Sequence, residues 1–149
     1  MLQIPEKPSA ILFACTHNAL RSPMAAALMK HYHGHHCWVR SVGVHRGELD
    51  AFAVEVMDEI GIDISTHKPQ IFEDLEDSFF DVVVSLSPEA QHHAVEMTRN
   101  MSCGVLFWNT LDPSMVEGNR ETRLDAYRTV RDQLQRRILQ QFPLAAAVD

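Results

Sequence analysis

The sequence predicts an α/β fold, a three-layer, doubly wound, four-stranded parallel sheet with helices on both faces. Three observations predict it. Short apolar runs alternate with segments of helical periodicity along the whole chain. The first run is too evenly apolar for a strand with one face in water. Capping residues then mark where the helices begin.

Ala10 to Ala14 (AILFA) reads as a first strand, covered on both faces, that stops at Cys15. A helix starts at Ser22-Pro23, with Ser22 capping free amides and Pro23 at the first helical position, where its missing N–H is harmless. Met24, Ala27, Leu28 and His31 line one face of it. Cys37 to Val42 (CWVRSV) is the second strand. Asp50 caps a second helix, whose Ala53, Val56, Met57 and Ile60 recur at helical spacing before Gly61 ends it. Asp81 to Ser85 (DVVVS) is the third strand, Ser87-Pro88 opens a third helix through about Arg99, and Gly104 to Phe107 (GVLF) is the fourth strand. After a loop from Trp108 to Gly118, a long helix from about Arg120 to Gln141 buries Leu124, Tyr127, Val130, Leu134 and Ile138. In a sheet wound this way, ligands bind at the carboxyl ends of the strands.

The 149 residues correspond to one domain, 1–149, at roughly 100–200 residues per domain. Apolar residues at 46% and charged residues at 22% exclude disorder over the whole chain. With 13 basic against 20 acidic residues the net charge is −7, which excludes a general footprint for nucleic acid or an anionic membrane. An anionic ligand must therefore be held locally. Cys15, Cys37 and Cys103 are odd in number and widely spaced, against a disulfide scaffold or a structural zinc site. The N-terminus lacks a basic region followed by a long apolar run, and no stretch reaches the 18 or so apolar residues of a membrane span. The expectation is a cytoplasmic protein, in which thiols stay reduced and a cysteine is a candidate reagent.

Cys15-Thr16-His17-Asn18-Ala19-Leu20-Arg21-Ser22 is the most informative segment, a Cys-x5-Arg loop between a buried strand and a helix start. Such a loop can aim the backbone N–H groups of Thr16, His17, Asn18, Ala19 and Leu20 at one point, adding the positive end of the helix dipole. A tetrahedral dianion fits that cradle, so this is a phosphate-binding loop after strand 1. Arg21 can lay its planar fork across two oxyanion oxygens. The groups that bind the anion also stabilise a thiolate at Cys15, placed for in-line attack on phosphorus without a metal ion or cofactor. The plain alternative is a packed cysteine and a surface arginine.

These residues resemble the low-molecular-weight protein tyrosine phosphatases and their relatives, the thioredoxin-coupled arsenate reductases. The resemblance covers nearly the whole chain: the early loop, Ala53 to Ser65 (AVEVMDEIGIDIS), the strand Asp81 to Ser85, and Asp112-Pro113 before the last helix. Larger tyrosine phosphatases place their loop late in the domain, so its early position selects this family. The resemblance implies that Cys15 is the nucleophile, Arg21 binds phosphate and Asp112 is the general acid, with Asn18 and Ser22 bracing the loop and hydrogen-bonding the cysteine. Expelling an aryl oxide calls for such an acid, which can later deprotonate the attacking water. On its own, Asp-Pro is also a turn signal. The implied substrate is a phosphorylated protein, above all phosphotyrosine, or a small aryl phosphate. Nothing in the sequence fixes the oligomeric state.

The chain also departs from the family pattern. His17 stands where glycine is usual, so the loop loses access to φ > 0 there; the imidazole either adds charge near the thiolate or points outward. Ser114 and Met115 replace the usual aromatic pair after Asp-Pro, and Leu20 replaces a second loop cysteine. Ser85-Leu86-Ser87-Pro88 has no thiol where the reductases need a resolving pair, and Cys37 and Cys103 read as packed thiols at strand starts. The C-terminal half looks more like the reductases, which keeps an arsenate reductase as the alternative. A silent phosphate-binding regulatory domain is a further one. His31, His33, His35 and His36 crowd the first helix exit, remote from the site, and read as polar helix-end residues rather than metal ligands. His45 and Arg46 should rim the cleft, and Glu73 to Asp77 should be a solvated face.

Overall fold

The computed structural model describes residues 4–77 and 79–144; residues 1–3 of the N-terminal stretch and the chain beyond 144 lie outside them. The elements are β1 (Ala10–Cys15), α1 (Arg21–His33), β2 (Trp38–Gly43), α2 (Ala51–Asp58), β3 (Val82–Ser85), α3 (Pro88–Thr98), β4 (Gly104–Phe107) and α4 (Arg120–Gln141). The strands are all parallel in the order β2-β1-β3-β4. The chain runs outward from β1 in both directions, which makes the carboxyl end of β1 the switch point where a doubly wound sheet opens its ligand crevice.

β1 explains why its sequence shows no alternation. Ile11, Phe13 and Cys15 pack on one face with Met24 and Leu28 of α1 and Leu124, Tyr127 and Leu134 of α4, a cluster that Ala53, Val56 and Met57 of α2 also join. Ala10, Leu12 and Ala14 face Val83 and, from α3, Ala90 and Ala94. Each fully buried Leu or Phe contributes about 1.5–3 kcal/mol, so neither face tolerates a polar residue.

Three caps fix where helices begin. Asp50 Oδ1 accepts from the Phe52 and Ala53 amides at 2.8 and 3.3 Å, Ser87 Oγ from Ala90 at 3.3 Å, and Asn119 Oδ1 from Thr122 at 2.8 Å. Gly61 follows α2 at φ 78°, a conformation that suits glycine.

Several expectations need correction. α1 begins at Arg21 with Leu20 as its uncapped N-terminal neighbour, because the Ser22 hydroxyl is engaged by the loop instead. Pro23 still falls in the first turn, where no N–H is needed. His31 is exposed, while α1 buries Ala25 and Met29 as well as Met24 and Leu28, since both the sheet and α4 cover it. Cys37 and Asp81 precede their strands. The Asp81 carboxylate accepts from the amides of Ser9 and Ala10, strapping the amino edge of the sheet. His33 is buried, with its ring between His36 at 3.0 Å and the Phe142 carbonyl at 2.8 Å, so it joins the ends of α1 and α4. Glu73 to Asp77 is not wholly solvated: Asp74 pairs with Arg46, and Asp77 accepts from Trp38 Nε1 at 3.0 Å. Among the described residues, no helix is long and apolar enough to cross a membrane.

Candidate active site

The chain leaves β1 at Cys15 and turns through residues 16–20 before α1. The geometry of that turn is set from outside. Amides of the segment after β2 bind its carbonyls in succession: Val44 to Cys15 O at 3.1 Å, His45 to Thr16 O at 2.8 Å, Gly47 to His17 O at 2.9 Å and Asp50 to Ala19 O at 3.0 Å. His67 Nε2 lies 3.2 Å from the remaining carbonyl, that of Asn18. In a trans peptide the N–H points opposite the preceding C=O. Turning five carbonyls outward therefore turns the amides of Thr16 through Leu20 inward. The cradle is a consequence of this clamp.

Cys15 Sγ sits within it, buried, 3.3 Å from the Asn18 amide, 3.4 Å from the Ser22 amide and 2.9 Å from Ser22 Oγ. Asn18 is fully buried with φ 55°, and its side chain holds both walls of the loop: Nδ2 donates to Ser22 Oγ at 2.8 Å and Ser41 Oγ at 3.0 Å, and Oδ1 accepts from the Gln70 amide at 2.8 Å. The positive φ of the loop thus falls on asparagine, one of the side chains that visit this region more readily, and not on His17. His17 is exposed, its ring 5.9 Å from that of His45. Thr16 donates to Ser87 Oγ at 3.0 Å, Ala19 is half-buried, and Leu20 is buried at the start of α1.

Arg21 is buried, with Nη1 donating to the Thr110 carbonyl at 3.0 Å and Nη2 to Thr16 Oγ1 at 3.4 Å. Asp112 Oδ2 lies 4.0 Å from the same Nη2. The other oxygen, Oδ1, accepts from Ser114 N at 3.0 Å and Ser114 Oγ at 2.6 Å, which fixes the carboxyl at the head of a 3₁₀ turn over Pro113–Met115. A cavity of about 220 Å³ joins these groups, with Cys15, Arg21 and Asp112 around it and Gly47, Glu48 and Asp50 at its sides. Cys15 and Asp112, separated by 97 positions in sequence, face one space. The model of the family described as low molecular weight phosphotyrosine protein phosphatase matches residues 10–147. The chain belongs to that family.

The sequence relatives of this family member include arsenate reductases, and its structural neighbours include both arsenate reductases and tyrosine phosphatases. An arsenate reductase of Shouchella clausii is 34% identical over 129 residues, which is 86% of this chain and 91% of that one. A solved arsenate reductase in its phosphate-binding state superposes with a TM-score of 0.75 at 27% identity, covering 89% of this chain and 95% of its own. A tyrosine phosphatase of Erwinia amylovora shares the fold, with a TM-score of 0.71 at 19% identity and 91% of each chain covered.

Other residues of this phosphatase-family site are not visible from the motif alone. Ser41, His67 and Gln70 brace Asn18 from strand and coil positions that carry no local pattern. Gly43 does have a signal, a glycine closing a strand: a Cβ there would lie 2.7 Å from both Asn18 N and His17 C. His45 and Arg46, expected at the cleft, do not line the cavity; His45 pairs with Glu89 at 3.1 Å, and Arg46 is taken by Asp74 and the Pro69 carbonyl. Among the described residues, no group of three His, Cys, Asp or Glu side chains is arranged to hold a metal ion.

Proposed function

We propose that this protein is a cytoplasmic, cysteine-dependent phosphomonoester hydrolase, acting as one domain on aryl phosphates and above all on phosphotyrosine in proteins. The observation that carries the reading is the convergence of two amides and the Ser22 hydroxyl on Cys15 Sγ, with Arg21 and the Asp112 carboxyl facing the same cavity. Phosphate enters the cradle of inward amides, and Arg21 turns its fork to two of the oxygens. The Cys15 thiolate attacks phosphorus, the P–O bond to the aryl group breaks, and the protonated form of Asp112 gives its proton to the leaving oxygen. Water then attacks the cysteinyl-phosphate and passes its proton back to Asp112, and the S–P bond breaks to release inorganic phosphate and the thiolate. Positive charge for every step comes from the chain's own amides and arginine, so the reaction calls for no metal or cofactor.

A second reading, arsenate reduction, is favoured by the names of the curated relatives. Against it stands the supply of thiols. Cys37 and Cys103 precede β2 and β4, at the sheet edge opposite Cys15. The test is turnover of an aryl phosphate with chelator present, beside arsenate reduction with thioredoxin. Cys15→Ser should abolish turnover and retain phosphate binding. Asp112→Asn should slow phenyl phosphate by about 10²–10⁴-fold and a nitrophenyl ester much less, since a good leaving group needs less protonation. Activity that survives Cys15→Ser, or that the chelator removes, refutes the mechanism.

A further inference from the structure

A second cavity, of about 390 Å³, lies between α1 and the coil over residues 63–70. Its floor is apolar, with Ala26, Val39 and Ile64, and Lys30, Arg40 and Lys68 stand around it. Asp63 is the one carboxylate in its lining. Three cations in one concavity run against the composition of a chain with net charge −7. Arg40 is only loosely committed, its Nε 3.5 Å from Asp77 Oδ2 and its Nη2 3.5 Å from Gln70 Oε1. Among the described residues, neither Lys30 nor Lys68 has an ion-pair partner. His67 stands in the same wall: burial above all holds its imidazole below the usual range, the hydrogen bond to Asn18 opposes this, and Lys30 adds a smaller push downward.

The cavity is wired to the phosphate loop. His67 and Gln70, both in its lining, hold Asn18 by Oδ1, and Asn18 Nδ2 donates to Ser22 Oγ, which is 2.9 Å from Cys15 Sγ. Asp63 and the long Arg40–Asp77 pair offset only part of the charge of the three cations, and an anion among them would offset the rest. The apolar floor adds room for an uncharged body. We propose that this cavity is a second anion site, for a small organic molecule carrying a multiply charged phosphate, and that its occupancy is transmitted to the phosphate loop through Asn18. An anion beside Lys30 relieves the push of that cation on His67 and firms the hydrogen bond of His67 to Asn18, so the loop should hold its own oxyanion more tightly. Coupling between the two sites must be reciprocal.

The experiment uses the whole protein with the phosphate loop saturated by tungstate, titrated with inorganic pyrophosphate and with adenosine diphosphate while amide resonances are followed. Each probe should give one saturable site, with shifts at Thr66, Lys68, Gln70 and Asn18, and the nucleotide should bind more tightly because it also covers the apolar floor. A Lys30→Glu/Lys68→Glu variant, changed only at exposed residues, should lose about tenfold or more in affinity, whereas Arg136→Glu/Arg137→Glu on α4 should lose none. Tungstate affinity of the wild type should rise about fivefold or more with nucleotide bound. Shifts confined to Thr16 through Ser22, unchanged affinity in the Lys30/Lys68 variant, or tungstate affinity indifferent to the nucleotide would overturn the proposal.

Discussion

The Tyr127 hydroxyl donates a 2.7 Å hydrogen bond to Asp50 Oδ2, while Asp50 Oδ1 accepts the amides of Phe52 and Ala53. One carboxylate thus closes the start of α2 and fastens α4 to it, beside the cavity lined by Cys15, Arg21 and Asp112. Burial, followed by the bond to Asp50, pushes the Tyr127 hydroxyl well above its ordinary range, so it remains a donor at any working pH. Tyr127→Phe keeps the ring, edge-on to Phe52, and removes only that donor. A hydrogen bond to a charged group contributes about 1.5–3 kcal/mol, and the variant should lose about that much unfolding free energy. Urea unfolding measures it, and an unchanged midpoint contradicts the argument.

Gly43 offers a separate handle on the loop. The Cβ of Gly43→Ala would press on loop backbone, which cannot rotate away as a flexible side chain could. The clamp of outward carbonyls must shift, and with it the inward amides. Misplacements near 1 Å cost up to about 10²-fold in well-oriented sites. The expected result is a weakened inhibition constant for inorganic phosphate and reduced turnover, with thermal stability lowered much less. Equal phosphate affinity in Gly43→Ala and wild type would show that the loop absorbs the methyl group.

The order of elements was legible because each depends on a short-range signal: apolar runs for β1 and β3, caps at Asp50 and Ser87, the stripe of α4. The loop was legible for the same reason, since Cys15 through Ser22 are contiguous. What holds the loop was not. The amides of residues 44–50 and the side chains of Ser41 and His67 act across 23 to 49 positions in sequence, and backbone donors leave no trace in residue type. Ser22 reads as a cap in the sequence because capping and binding a sulfur ask for the same hydroxyl at nearly the same place. His17 in place of glycine gives up access to φ > 0, but the positive φ of the loop lies at Asn18, so position 17 loses nothing by it.

Glu59 makes acid stability testable. It accepts Arg128 Nη2 at 2.7 Å and Arg131 Nη1 at 2.8 Å, tying α4 to the end of α2. The Arg128 bonds are the largest cause that pulls its carboxyl down to about 2, against the opposing effect of burial and with help from Arg131. A depressed carboxylate stabilises the fold fully above its unfolded value near 4.5, and the contribution fades as pH falls from there through about 2. Glu59→Gln should therefore lower the melting temperature at pH 6 and narrow its gap from wild type at pH 3. A gap of the same size at both pH values would assign Glu59 a role other than its charge.

The remaining prediction concerns sulfur. Cys15 pairs in register with Gly43 at one end of β1, while Ala10 at the other end pairs with Trp38, next to Cys37; Gly104, next to Cys103, aligns through Val82 with Ile11. Five residues of β1 at about 3.3 Å each separate those edges by roughly 16 Å, far beyond the 4.4–6.8 Å Cα separation of a disulfide. Both distant thiols are pushed up to about 11 by burial and then by Asp81, so they are poor nucleophiles as well as remote ones. Within the loop, Leu20 supplies no second sulfur. Cys37→Ser and Cys103→Ser should leave aryl phosphate turnover unchanged, and wild type should reduce arsenate negligibly with thioredoxin. Peroxide should oxidise Cys15 to the sulfenic acid and, with no intramolecular partner to trap it, onward to the sulfinic acid, so that added thiol rescues activity only after brief exposure. Mass spectrometry of the oxidised native protein, beside the arsenate assay, decides the matter: a Cys15–Cys103 disulfide, or rapid arsenate turnover with thioredoxin, would mean that the edges of this sheet communicate in a way its register forbids.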